Sequence, residues 1–92
     1  MKLGFIGTGN MASAIMGGII KNKIMPAEEI IGADLYAPGR ERVKEQFGIC
    51  VTGDNKEVVE QADVIVLSVK PQFYEEVITE IRDMVRKDQI II

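Results

Sequence analysis

Two glycines and a small third residue stand at the spacing with which a chain can leave a strand, pass a phosphate and enter a helix: Gly7-Thr8-Gly9-Asn10-Met11-Ala12. Gly7 would allow the sharp turn, Gly9 would leave room for a pyrophosphate beside the backbone, and Ala12 would let the helix pack closely on a sheet. An anion placed there meets unpaired N–H groups and the positive end of the helix dipole. The competing reading is a tight turn with no ligand. Four further positions fit the same chemistry. Asp34 lies close to the ~20 residues past the turn at which a carboxylate can accept hydrogen bonds from an adenosine ribose and repel a 2′-phosphate; otherwise it is a solvated turn aspartate. Arg40 is balanced between a phosphate fork and a solvated helix face, and Arg42 reads as the latter. Asn55 is a first-turn residue close to where an adenosine would pass. Lys70 faces a phosphate, a nicotinamide carboxamide or a substrate, or is a plain surface lysine.

These residues need a frame that brings them together. Leu3 to Ile6 is an apolar strand, and Met11 to Ile20 is a helix with Met11, Ile15 and Ile19 expected to face the sheet and Ala12 and Met16 beside them. Pro26 turns the chain, Ala27 to Glu29 makes one short helical step, and Ile30 to Ala33 is the second strand with Asp34 at its end. A helix from Pro38 to Phe47, closed by Gly48, leads into a third strand, Ile49 to Thr52, in which Cys50 reads as a small buried hydrophobe. Asp54 and Glu57 have capping-box spacing and start a helix through Gln61. Val64 to Val69 is apolar on both faces, as a covered parallel strand requires. Pro71 opens a helix to about Arg86, with Phe73, Val77, Ile81 and Val85 as a core stripe that Tyr74 and Ile78 widen. Ile90 to Ile92 begins a fifth strand.

Alternating strands and helices imply an α/β, doubly wound, Rossmann-type parallel sheet in three α/β/α layers, of expected order 3-2-1-4-5. Ligands of such sheets bind where the first and fourth strands diverge at their carboxyl ends. That rule sets Gly7 to Met11 opposite Ser68 to Gln72.

The bulk properties agree with one small domain over residues 1–92. The net charge of −3 is scattered without a basic tract, which argues against a nucleic-acid partner. With no histidine and only Cys50, an internal disulfide and the usual His/Cys zinc clusters are excluded, and a reducing, cytoplasmic setting is expected. No apolar run approaches the ~20 residues of a membrane span. The apolar strand at Ile92 suggests a domain that continues into a longer enzyme.

The opening Gly4-Phe5-Ile6-Gly7-x-Gly9-Asn10-Met11-Ala12-x-Ala14-Ile15, together with Asp54-Asn55, Ala62-Asp63-Val64-Ile65 and Val69-Lys70-Pro71-Gln72, resembles pyrroline-5-carboxylate reductase over essentially the whole chain. The resemblance implies reduction of the cyclic imine 1-pyrroline-5-carboxylate to proline with NADPH or NADH. It also implies a following helical domain that forms homo-oligomers and supplies much of the substrate pocket. It assigns pyrophosphate to the Gly7 to Met11 turn (Gly7, Thr8, Gly9, Asn10, Met11) and the adenosine ribose or its phosphate to Asp34 and Arg40. Asn55 would line the adenosine side, and Val69, Lys70 and Pro71 would border the nicotinamide. No residue is evident as the proton donor. The family often favours NADP and frequently carries arginine just after the second strand, where this chain has Leu35. A regulatory, nucleotide-sensing domain without its own chemistry shares the same start; Lys70-Pro71-Gln72 argues for the reductase. A ligand-free interaction module, with the glycines serving packing alone, is the other class.

Overall fold

The computed structural model describes residues 2–92, and its sheet has the expected order. Five parallel strands run β3-β2-β1-β4-β5, with β1 at Leu3–Ile6, β2 at Ile30–Ala33, β3 at Cys50–Thr52, β4 at Val64–Leu67 and β5 at Ile90–Ile91. β1 lies between β2 and β4 in a register that brings Ile6 level with Ala33 on one side and Leu67 on the other. Three strand ends therefore meet where the glycine turn begins. The helices are α1 (Asn10–Lys21), α2 (Ala37–Phe47), α3 (Asn55–Gln61) and α4 (Tyr74–Ile81), with single 3₁₀ turns at Ala27–Glu29 and Pro71–Phe73.

The pleat divides the apolar residues into two cores. Leu3, Phe5 and Ile30 turn to one face, against Ala12 and Met16 of α1 and Val43 of α2. Ile6, Ile31, Ala33 and Ile65 turn to the other, against Val58 and Val59 of α3 and Val77 and Ile81 of α4. Each fully buried Val, Ile, Phe or Met side chain of this set contributes about 1.5–3 kcal/mol through removal from water. Gly4 marks the tightest approach: a Cβ there would stand 2.5 Å from Val58 Cγ1 and 2.8 Å from the Ala62 methyl, so α3 reaches the sheet only because β1 has no side chain at that point.

In the framework of the fold, the structure departs from the sequence reading in four places. α1 is rotated by about one residue: Ala12 and Met16 are fully buried, whereas Met11 and Ile15 are 53% and 38% exposed. The turn entering α1 sets its rotation, and small Ala12 permits the approach that longer Met11 would hinder. Cys50 is exposed on the edge strand and its neighbour Ile49 is buried instead. The Asp54 side chain caps α3 by accepting from the Lys56 amide at 3.0 Å, but the reciprocal half of the capping box is absent. Glu57 Oε2 accepts from the Thr52 hydroxyl, and the Asp54 amide donates to that same Thr52 oxygen. Finally, α4 stops at Ile81. The following segment leaves the helix to satisfy carbonyls at the end of α3, where Gln89 Nε2 donates to Val59 O at 2.6 Å and to Ala62 O at 2.8 Å.

Candidate functional site

The turn after β1 is held from several sides. Gly7 has φ +101°, and a Cβ on it would stand 2.7 Å from the Ser68 carbonyl oxygen. Both facts demand glycine. The Gly7 amide donates to Ala33 O at 2.7 Å, and the Ser68 hydroxyl donates to Gly7 O at 2.7 Å. Next in the chain, Thr8 is fully buried and gives both its amide (3.0 Å) and its hydroxyl (2.8 Å) to Asp34 Oδ2. Asp34 Oδ1 accepts from the Tyr36 amide at 2.9 Å. The Asp34 carboxylate thus ties the glycine turn to the end of β2. Arg42, which the sequence suggested only decorates a helix face, donates from Nη2 to Thr8 O at 3.2 Å.

Gly9 is different in kind. Its φ of −75° and ψ of −162° are open to any residue, and beyond its two chain neighbours no atom lies within 4 Å of where its Cβ would stand. Neither conformation nor packing explains the missing side chain. Gly9 is the N-cap of the twelve-residue α1, and the first helical bond is donated by Ser13 to Gly9 O at 2.9 Å. The amides before Ser13 in this first turn, those of Asn10 and Met11 included, therefore have no acceptor within the helix.

A cleft of about 560 Å³ opens over this turn at the carboxyl ends of β1, β2 and β4. Gly7, Thr8, Gly9, Asp34, Asn55, Val69 and Lys70 line it together. Of the other residues expected there, Asn10, Met11, Arg40 and Pro71 are outside the lining. The Arg40 guanidinium instead donates from Nη1 to the Asp34 carbonyl at 2.9 Å, tying the start of α2 to the end of β2.

The sequence reading missed one wall of the cleft. Phe73 is 46% exposed and lines it with Glu76, Val77 and Glu80, so it is not the core residue that its spacing suggested. The turn at Pro71–Phe73 is 3₁₀, which rotates Phe73 away from the buried Val77–Ile81 stripe. Proline directly before the stripe was the available signal. Tyr74 and Ile78 are exposed too. Across the cleft mouth, Asn55 Nδ2 donates to Glu80 Oε1 at 2.9 Å and links α3 to α4. The lining carries the carboxylates of Asp34, Glu76 and Glu80 against the single ammonium of Lys70. No cluster of His, Cys, Asp or Glu among the described residues could hold a metal ion, and no helix among them is long and apolar enough to cross a membrane.

Sheet order, strand-end crevice and glycine turn into a helix define a doubly wound, Rossmann-type α/β domain. More particularly, the chain belongs to the family described as NADP oxidoreductase, coenzyme F420-dependent, whose model matches residues 2–92. The resemblance read from the motifs is borne out as well. The chain is 36% identical over 91 residues to pyrroline-5-carboxylate reductase of Methanosarcina acetivorans, covering 99% of this chain and 34% of that protein. Its fold superposes on a pyrroline-5-carboxylate reductase from Coxiella burnetii with a TM-score of 0.87 at 35% identity, over 94% of this chain and 32% of the other. The Plasmodium falciparum pyrroline carboxylate reductase, solved with NADP bound, gives a TM-score of 0.82 at 26% identity, over 99% and 32%. The chain thus spans about a third of the length of these relatives.

Proposed function

We propose that this chain is the dinucleotide-binding domain of a reductase that converts 1-pyrroline-5-carboxylate to proline with NADH or NADPH. The observation that carries the reading is Gly9. Its backbone is unstrained and its missing side chain makes room for nothing in the protein, so the space it leaves in the cleft suits a ligand that must approach the backbone. An anion fits there. The free amides at the start of α1 donate to it, and the helix dipole adds a favourable field. A pyrophosphate would lie over Gly7 to Met11, with Asn10 and Met11 contributing through main-chain N–H groups, which does not require their side chains to line the cleft.

The remaining assignments follow from position. Asp34, beside Leu35 and Tyr36 at the end of β2, would face the adenosine ribose, with Asn55 beyond it and Arg40 supporting the turn through the Asp34 carbonyl. Val69, Lys70 and Pro71, at the opposite side of the turn, would border the nicotinamide. When bound, a reduced nicotinamide supplies the hydride for a C=N bond. The chain's own residues bind and orient: Thr8, held by Asp34 and Arg42, fixes the course of the turn, and Ser68 fixes Gly7 against β4. Similarity to reductases three times as long supports a second domain that completes the imine pocket, supplies the proton and forms a homo-oligomer. Calorimetric titration with NADH and NADPH tests the binding half of this reading. Saturable binding of either, displaced by ADP-ribose, is expected, and no binding at millimolar nucleotide by a folded protein would refute it.

A further inference from the structure

We infer that Glu80 is a specificity-determining positioning residue, which orients the Asn55 amide so that the cleft takes adenosine with a free ribose hydroxyl, as in NADH, in preference to a 2′-phosphate, as in NADPH. The inference rests on the dinucleotide reading above and deepens it.

Asn55 and Glu80 both line the cleft, from α3 and α4, and their side chains meet through the 2.9 Å bond from Asn55 Nδ2 to Glu80 Oε1. A carboxylate only accepts, so it must take the nitrogen end of the amide. The carbonyl end, Oδ1, is then the one left for a ligand. An acceptor there pairs with a hydroxyl donor, whereas a phosphate dianion has no proton to offer it. Glu80 thus selects the amide's orientation without itself needing to touch the nucleotide.

The charges around the cleft act in the same direction. Asp34, Glu76 and Glu80 are in its lining. The arginines that follow β2, which would be the natural forks for a 2′-phosphate, are turned to the main chain: Arg40 Nη1 to Asp34 O and Arg42 Nη2 to Thr8 O. Lys70 is the lining cation, and it belongs to the segment after β4, beside Val69 and away from the β2 end. The end of the cleft formed by Asp34 and by Asn55 with Glu80 therefore offers acceptors and negative charge.

The test is calorimetric titration of the purified protein and its Glu80→Gln, Asn55→Ala and double variants with NADH and with NADPH, alongside thermal melts. Glutamine can give its own N–H to Asn55 Oδ1, which frees the amide to turn its nitrogen to the cleft, and it carries no charge. Wild type should prefer NADH. Glu80→Gln should move the affinity ratio toward NADPH by about tenfold, or ~1.4 kcal/mol, with little change in melting temperature. In the Asn55→Ala background the same substitution should move the ratio much less, because its target is gone. A merely structural Glu80 would alter both affinities together and leave the ratio alone. Wild-type preference for NADPH, or an unchanged ratio in a folded Glu80→Gln protein, overturns the inference while leaving the dinucleotide reading intact. Should Glu80→Gln fail to fold, Glu80→Ala gives the same decision: it removes both the acceptor of the Asn55 amide and the charge, and must move the ratio toward NADPH. Binding of neither nucleotide by wild type overturns both.

Discussion

Replacing Gly9 with valine separates what the fold needs from what the ligand needs. The backbone at Gly9 (φ −75°, ψ −162°) suits an L-residue, and beyond its two chain neighbours a Cβ would meet no atom within 4 Å. Valine should therefore leave the fold intact; loss of the glycine's freedom in the unfolded chain even favours the native state by a few tenths to about 1 kcal/mol. Binding is another matter. The isopropyl group would occupy the approach to the first amides of α1 and hold a pyrophosphate away from them. Each hydrogen bond to a charged group contributes about 1.5–3 kcal/mol, so losing one weakens binding roughly ten- to hundredfold and losing two largely abolishes it. Calorimetric titration of wild type and Gly9→Val with NADH and NADPH, with circular dichroism on the same samples, measures both halves. Equal affinities in two folded proteins would refute the reasoning, since Gly9 would then be open for no purpose connected with a nucleotide.

The neighbouring glycine should behave in the opposite way. Gly7→Ala forces a side chain onto φ +101° and places a Cβ 2.7 Å from Ser68 O; a loss of about 1–3 kcal/mol in stability is expected, seen as a lower denaturant midpoint at unchanged slope. Asp34→Ser removes the acceptor of the Thr8 amide and hydroxyl and a negative charge from the ribose end. NADH affinity should fall by about tenfold or more and NADPH affinity by less, so that their ratio moves toward NADPH; equal losses in paired titrations would mean that the carboxylate acts through Thr8 alone.

The sheet was legible because its signals are local and repeated. Leu3–Ile6, Ile30–Ala33 and Val64–Leu67 each pair an apolar run with a turn residue at its end, and alternation with helices leaves few orders for five strands. The meeting of the Gly7 turn with Ser68 and Lys70 followed from that order. What escaped was set by tertiary contact. The rotation of α1 by one residue depends on how Ala12 meets the sheet, and Met11 and Ile15 carry the same four-residue spacing as the buried pair. Cys50 and Ile49 alternate, and only the position of α2 against β3 decides which one is covered. Phe73 kept its place in the pattern but lost it in space when the chain after Pro71 wound as a 3₁₀ turn. The bonds from Thr8 to Asp34, 26 residues away, and from Asn55 to Glu80, 25 residues away, join polar side chains that have no periodicity to betray them.

The central claim is that this chain holds the nucleotide for reduction of a cyclic imine while another part of a longer protein completes the substrate site. The most direct measurement follows the loss of reduced-nicotinamide absorbance with 1-pyrroline-5-carboxylate, comparing the 92-residue chain with the full gene product at equal molarity. Reduction needs the imine carbon held ~3–3.5 Å from the hydride-bearing carbon, and a misplacement of 1 Å can cost about a hundredfold. Turnover by the full product, with a chain that binds nucleotide yet is at least about a hundredfold slower, is the predicted result. Nucleotide binding by both with no turnover of this imine by either would contradict the account.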